Sequence, residues 1–351
     1  MKRQETAGLT RRPVISVVMP VHNGATYLSK AVQSILNQTF PDFELLILDD
    51  GSTDDSAVIA HRHADTDPRV RVIQLDRVGL TRALNLGLES ARAPWIARMD
   101  ADDIAHPTRF QRQMEFLVQR PDVAVLGTHA WMIGRSGKIV GKSTQGPTSR
   151  DAFLQQREDV RINFVHPTVM YSRRVVMEAG GYSDDYPAAE DFELWNRLAE
   201  EHYMLSLPEP LLYYRVHDAA TGTRALRVQA ESWSCIRENM KRQRLGLAPI
   251  SVEEHRMLRK NTGLGNRLRR DLKLRSRYCY RKGGAKIAAG NATGVGWLML
   301  SAMLYLPVPL ARIQNQVLRP MRQRIDLSSR IRRRMRCGIA SVNNRDQKGA
   351  S

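Results

Sequence analysis

Short apolar runs alternate with stretches of helical periodicity along the first part of the chain. Residues 14–19 are mostly β-branched and lie between Pro13 and Pro20, a pattern that predicts a buried strand. Over 25–38 the apolar residues Leu28, Ala31, Val32, Ile35 and Leu36 recur at the spacing of one helix face. Residues 43–48 read as a second strand, closed by an Asp49-Asp50-Gly51-Ser52 turn. A helix over 56–64, a strand over 70–75, a helix over 80–91 and a strand over 95–99 follow, and the last strand runs into Asp100-Ala101-Asp102-Asp103. Strands and helices alternating at this pitch predict a doubly wound, Rossmann-like, mostly parallel sheet of the α/β class. Ligands of such sheets bind beyond the carboxyl ends of the strands, where both acidic clusters fall.

The pattern then changes. Residues 123–140 read as a hairpin around Gly134 and Gly137, 191–201 as a helix and 211–216 as a strand. We place a boundary near 220–223, giving a tail over 1–13, an α/β domain over 14–220 and a basic, mainly helical region over 221–351. That last region holds basic amphipathic helices over 224–244 and 252–282, an uncharged run over 287–311 with an apolar segment at 295–310, and an arginine-rich end.

Charge sharpens this division. Residues 221–351 carry 29 Lys and Arg against 7 Asp and Glu, whereas 1–220 carry 25 against 29. A basic region seeks polyanions: nucleic acid, anionic lipid or phosphate-bearing substrates. A nucleic-acid-binding protein is therefore one competing reading. No helix-turn-helix, zinc or RNA-binding signature supports it, and aromatics are only 6% of the chain. Cys235, Cys279 and Cys337 are odd in number, far apart and without metal-ligand spacing, as expected in a reducing compartment. The polar, basic N-terminus shows no signal peptide, so the expected location is cytoplasmic.

The apolar segment 295–310 leaves three readings open. Its length falls short of the roughly 20 residues a spanning helix needs, and Gly290, Gly294, Gly296, Pro307 and Pro309 interrupt the longer run. Arg281, Lys282 and Lys286 precede it, and Arg312, Arg319, Arg322 and Arg324 follow, so a single span would leave one basic cluster on the wrong side. Attachment to the anionic inner face of a cytoplasmic membrane is the leading expectation. A helix packed on the catalytic domain is the second, and a true span the third.

Asp100 and Asp102 at a strand's end put two carboxylates on one side of an extended segment. Mn²⁺ or Mg²⁺ bridging two phosphates needs such hard oxygen ligands, although an acidic turn before the helix that starts after Pro107 would look the same. Context separates the two. The motifs VVMPVHNG at 17–24, NQTF at 37–40, FEL at 43–45, DDGSTD at 49–54, Gly87 and DADD at 100–103 occur in one order. HPTVM at 166–170, GGY at 180–182, AEDFELWNRL at 189–198 and YRVH at 214–217 follow. Over residues 14–218 this closely resembles the family-2 glycosyltransferases: inverting enzymes of the GT-A fold, many of which build bacterial cell-surface polysaccharides.

The resemblance implies a nucleotide-sugar donor, a UDP-sugar first, and a saccharide or lipid-linked saccharide acceptor. Pro20, Val21 and Asn23 would lie along the nucleotide, and Asp50, with Asp49 beside it, would meet the uracil. Asp100 would contact ribose or metal, Asp102 would ligate the metal, and His217 would be a further metal ligand or a packed histidine. Asp103 reads as a solvated cap. Asp191 would be the general base, an N-cap being its structural alternative, and Glu190 would orient the acceptor. His166 would support the wall of the site, and Trp195 at helical spacing reads as core. The sequence departs from many relatives at Leu84, where they carry Arg; Arg82 would supply that charge from the preceding turn. No Gln-x-x-Arg-Trp motif of processive synthases is present, so single addition is expected. A pseudoenzyme would have lost Asp102 or Asp191, and both are here.

Overall fold

A computed structural model describes residues 12–216, 225–260, 264–288 and 291–304. Its centre is a nine-stranded mixed sheet in the order β3-β2-β1-β4-β8-β6-β9-β5, with β7 paired to β6. The first half is the expected parallel unit: β1 (Ile15–Val21), β2 (Phe43–Asp50), β3 (Val70–Leu75) and β4 (Trp95–Arg98) pair in parallel. They are separated by α1 (Ala25–Leu36), α2 (Ser56–Thr66) and α3 (Leu80–Ser90).

The buried apolar runs of β1 and β2 reflect a sheet covered on both faces. Side chains alternate between those faces. Val17, Met19, Leu45 and Ile47 pack with Leu28, Val32 and Ile35 of α1. Val18, Leu46 and Leu48 pack with Leu84 and Leu88 of α3. Gly87 permits the α3 contact, since a Cβ there would lie 2.6 Å from Val18 Cγ1. At the end of the sheet away from the acidic clusters, buried Glu44 accepts from Ser16 Oγ at 2.6 Å, Arg71 Nη1 at 2.9 Å and Arg92 N at 2.8 Å. Burial works against this carboxylate, but these donors more than offset it and hold its pKa below the ordinary value.

The second half is mixed, and several of its elements carried no strong periodicity. After the two-residue β5 (Ile104–Ala105) and α4 (Arg109–Gln119), β6 (Val123–Ile133) and β7 (Ile139–Ser143) form the expected hairpin. Then come α5 (Arg150–Glu158), a 3₁₀ turn (His166–Thr168), β8 (Met170–Ser172), α6 (Arg173–Glu178) and α7 (Glu190–Leu198). The strand expected over 211–216 is the end of a longer β9 (Tyr203–Arg215), parallel to β6 and antiparallel to β5.

Beyond residue 224 the described chain is helical. α8 (Leu226–Arg244) seats on α7, with Trp233 stacked on Phe192 at 4.7 Å and Ile236 and Met240 buried beside it. Within the stretch expected to be helical over 252–282, α9 (Val252–Lys260) and α10 (Leu264–Ala288) are helical, and residues 261–263 lie outside the described residues. α11 (Thr293–Leu304) packs back on α10. His217, the tail over 1–11 and residues 305–310 of the apolar segment lie outside the described residues.

Candidate active site

The carboxyl ends of β1, β2 and β4 open toward one edge of the sheet, as a parallel unit requires. Val21 ends β1 opposite Asp49, with Pro20 opposite Leu48. Asn23 follows with φ 52°, a left-handed conformation asparagine tolerates better than most residues. Its side-chain oxygen accepts from Thr53 N at 2.8 Å and its backbone N donates to Ser52 Oγ at 3.0 Å, stitching the two loops together. Asp49 Oδ1 accepts from Ser52 N at 3.1 Å. The two oxygens of buried Asp50 accept from Val78 N at 2.6 Å and Gly79 N at 2.9 Å, shaping the turn into α3. Each carboxylate oxygen keeps a second lone pair for a ligand.

Two further residues meet here that sequence reasoning passed over. Arg77, at φ 55°, closes over Gly51 and hydrogen-bonds His22, whose Nδ1 lies 2.9 Å from Asp50 O. Arg82 sits in the first turn of α3, and its exposed Nε is 3.3 Å from Asp184.

Oxygens of Asp100, Asp102 and Asp103 all lie within 4.8 Å of one another. Asp103 is not the solvated cap expected of it: it is 1% exposed, and its Oδ1 accepts from Arg215 N at 2.7 Å. The reason is topological, since β5 pairs with the end of β9 and draws the acidic loop inward. Arg215 Nε also donates to Asp102 O at 2.7 Å, and Nη1 to Gly134 O at 3.0 Å. Replacing Arg215 by Ala would strip these carbonyls of charged donors. Urea unfolding should show a loss of about 3 kcal/mol, with a disordered Asp102 as its functional counterpart.

Burial first, then the charges of Asp102 and Asp100, push the Asp103 carboxyl well above its ordinary pKa. Its Oδ2 is buried without a hydrogen-bond partner among the described residues. Crowded hard oxygens, one of them orphaned, suit a divalent oxygen-seeking cation such as Mn²⁺ or Mg²⁺. These residues fit the metal.

Glu190 and Asp191 open α7, the acidic first turn that a helix dipole favours. Glu190 is buried; Asp191 stays partly exposed, and its Oδ1 accepts from Phe192 N at 2.6 Å. Desolvation first, then the neighbouring Asp191 charge, raises Glu190 to about 7. Desolvation also raises Asp191 to about 6, against the pull of that Phe192 hydrogen bond and of Arg98. Asp100 contributes to both shifts, so the carboxylate pair and the DADD loop share one field.

Arg98 stands at the centre of that field, and the sequence reading missed it. Its guanidinium is 3% exposed, pairs with Asp100, and acts electrostatically on Asp103, Glu190 and Asp191. The one available signal was a charged residue at the last position of an otherwise apolar central strand. Behind the pair, His166 Nε2 lies 3.1 Å from Tyr182 Oη, and Trp195 is fully buried among His166, Tyr171 and Tyr182. His166 is thus a wall residue and Trp195 core, as expected. Burial and Arg98 push His166 well below its ordinary pKa, which keeps it neutral.

The family model of glycosyl transferase family 2 matches residues 16–180. The O-antigen biosynthesis glycosyltransferase WbnJ of Escherichia coli is 32% identical over 236 residues, covering 66% of this chain and 90% of WbnJ. The chain belongs to glycosyl transferase family 2. Chondroitin synthase of Escherichia coli, also similar, is 28% identical over 68% of this chain but only 34% of its own length. TarS of S. aureus, solved with UDP-GlcNAc, aligns over 82% of this chain and 88% of that chain, with a TM-score of 0.50 at 16% identity. That likeness concerns the fold, and the fold is GT-A. The family membership makes this chain a glycosyltransferase, and the residues matched by the family model end just past α6, short of α7.

Proposed function

We propose that this glycosyltransferase is an inverting, non-processive enzyme that moves a sugar from a UDP-sugar to a saccharide or lipid-linked saccharide in cell-surface polysaccharide assembly. The observation that carries this reading is the shared field of the two acid sets: three clustered carboxylates, one of them paired with Arg98, and a carboxylate pair with raised pKa on which Arg98 and Asp100 also act. Asp50 and Asp49 at the end of β2, with Asn23, Pro20 and Val21, form the nucleotide edge. Asp100 and Asp102 would hold a divalent cation, which when bound neutralises the departing diphosphate. Asp191 takes the acceptor hydroxyl proton while that oxygen bonds to the anomeric carbon, and the carbon–oxygen bond to phosphate breaks on the opposite face. Glu190 orients the acceptor. The names of WbnJ and chondroitin synthase support polysaccharide assembly as the setting.

A donor panel tests the reading. UDP-Glc, UDP-Gal, UDP-GlcNAc, UDP-GlcA and GDP-Man are scored for hydrolysis with Mn²⁺, with Mg²⁺ and with EDTA. Turnover of one UDP-sugar that EDTA abolishes is expected; turnover of GDP-Man alone would overturn the donor assignment.

The raised carboxyls also fix the pH dependence. A base must be ionised to act, so kcat should climb as pH rises through about 6 to 7. Stability runs the other way. A carboxyl moved from 3.8 to about 6 binds its proton more tightly when folded, so its contribution is present below 3.8 and lost as pH rises through 6. A kcat that is flat from pH 5 to pH 8, with chemistry rate-limiting, would rule out this pair as the base.

A further inference from the structure

α11 has an unusual surface. It carries no charge, and its apolar and small residues lie all round the helix. Such helices belong in a protein core or in lipid. Yet only Gly294, Leu298 and Ser301 are buried, while Met303 is 79% exposed, Met299 66%, and Val295 and Leu300 42% each.

The contact with α10 explains how this arises. A Cβ on Gly294 would lie 2.6 Å from Gly283 O, so the two backbones meet almost directly. Ser301 Oγ donates to Ser276 O at 2.8 Å, and Ser276 Oγ to Ser301 O at 2.9 Å. Small residues and interhelical hydroxyl bonds are how helices associate where burial of large apolar groups supplies no drive, as in a bilayer. The large side chains are left facing outward.

A second, independent feature flanks that face. Trp297 meets Tyr278 edge-on at 6.2 Å, and the Lys282 ammonium lies 4.4 Å above the Trp297 ring. Arg275, Tyr278, Lys282 and Lys286 recur at helical spacing, so they line one face of α10. Aromatic rings with one wet edge favour a membrane–water boundary, and lysines there lay their stems on apolar surface with the ammonium in the headgroups. Charge complementarity names the occupant, since residues 221–351 hold 29 basic against 7 acidic residues.

We propose that the α10–α11 hairpin docks on an anionic lipid bilayer, with α11 lying in the interface and Lys282 and its neighbours on the headgroups. The described residues of α11 fall short of a span. Its 12 residues reach only about 18 Å against a hydrocarbon core of about 30 Å, and no described helix is long and apolar enough to cross. The hairpin is anchored beside the site: Arg281 bonds Gln229 of α8 at 3.3 Å, and its charge reaches Tyr214, next to the three aspartates. Docking there would present the catalytic edge to an acceptor held in the membrane.

The test is sedimentation of the full chain with phosphatidylcholine vesicles, with and without about 30 mol % phosphatidylglycerol. The chain should pellet with the anionic vesicles and come off as salt rises. Met299→Asp with Met303→Asp should weaken binding at least about tenfold, and Lys282→Gln roughly fivefold. Both variants should keep the wild-type circular dichroism and unfolding midpoint, because the methionines are exposed and Lys282 stays apolar along its stem. Three results would overturn the proposal. The full chain could stay in the supernatant at low salt. The double variant could pellet like wild type, which would assign binding to the arginine-rich end alone. Or the wild type could self-associate without lipid through the same methionines, making a second copy the occupant.

Discussion

Replacing Asp191 with Asn should lower kcat by on the order of 10²–10⁴, the usual weight of a general base, while donor KM should change little. The substitution is nearly isosteric, and Asn Oδ1 can still accept from Phe192 N, the 2.6 Å bond that fixes the side chain at the start of α7. What is lost is the ability to take a proton. The native carboxyl is poised for that task because desolvation outweighs the Phe192 hydrogen bond and Arg98, lifting it to about 6. Near-neutral affinity for a proton lets the group be ionised at working pH yet basic enough to accept. The same desolvation makes the ionised form expensive to bury, so the Asn variant should unfold at a temperature no lower than wild type at pH 7. Lower activity with undiminished stability separates a chemical role from a structural one. If kcat stays near normal, the base lies elsewhere, and Glu190→Gln is the next measurement.

The legibility of this protein follows the strength of local signals. β1 and β2 were readable because strands buried on both faces become continuous apolar runs, and α1 and α3 because their inner faces repeat at helical spacing. β5, β8 and α6 were not, since two, three and six residues are too short to carry a period. Their pairing depends on long-range topology. The same distinction runs through the site. Asp50, Asp100, Asp102 and Asp191 sit in motifs, and the sequence singled them out as candidates. Arg215 and Arg77 act through contacts with distant segments, such as Arg215 with Asp102 O across more than a hundred residues, and Arg98 through its charge on Glu190 and Asp191, partners that no local pattern records. Asp103 was misplaced for the same reason: a third acid in a row looks like a solvated turn until β9 is seen to pass over it. Trp195, by contrast, was read correctly as core from its spacing with Leu194 and Leu198.

Asp102→Ala should abolish transfer and metal-dependent UDP binding and leave the fold intact. The fold argument rests on which atom of Asp102 the structure uses: Arg215 Nε holds its backbone oxygen at 2.7 Å, and alanine keeps that oxygen. Removing the carboxylate also relieves repulsion, because the charge of Asp102 is one cause of the raised Asp103 carboxyl. Thermal unfolding should therefore show an unchanged or slightly higher midpoint. Binding should change greatly. A hard cation held by only one or two protein carboxylates loses a large part of its site with either one, and without the cation the diphosphate meets the negative field of Asp100 and Asp103 unscreened. Isothermal titration with UDP, with and without Mn²⁺, reads this directly: the wild type should bind far more tightly with the cation, and the variant should show little difference between the two titrations. Wild-type transfer that continues undiminished in EDTA, or a variant whose UDP affinity still depends on Mn²⁺ as strongly as the native enzyme's, would remove Asp102 from the metal site.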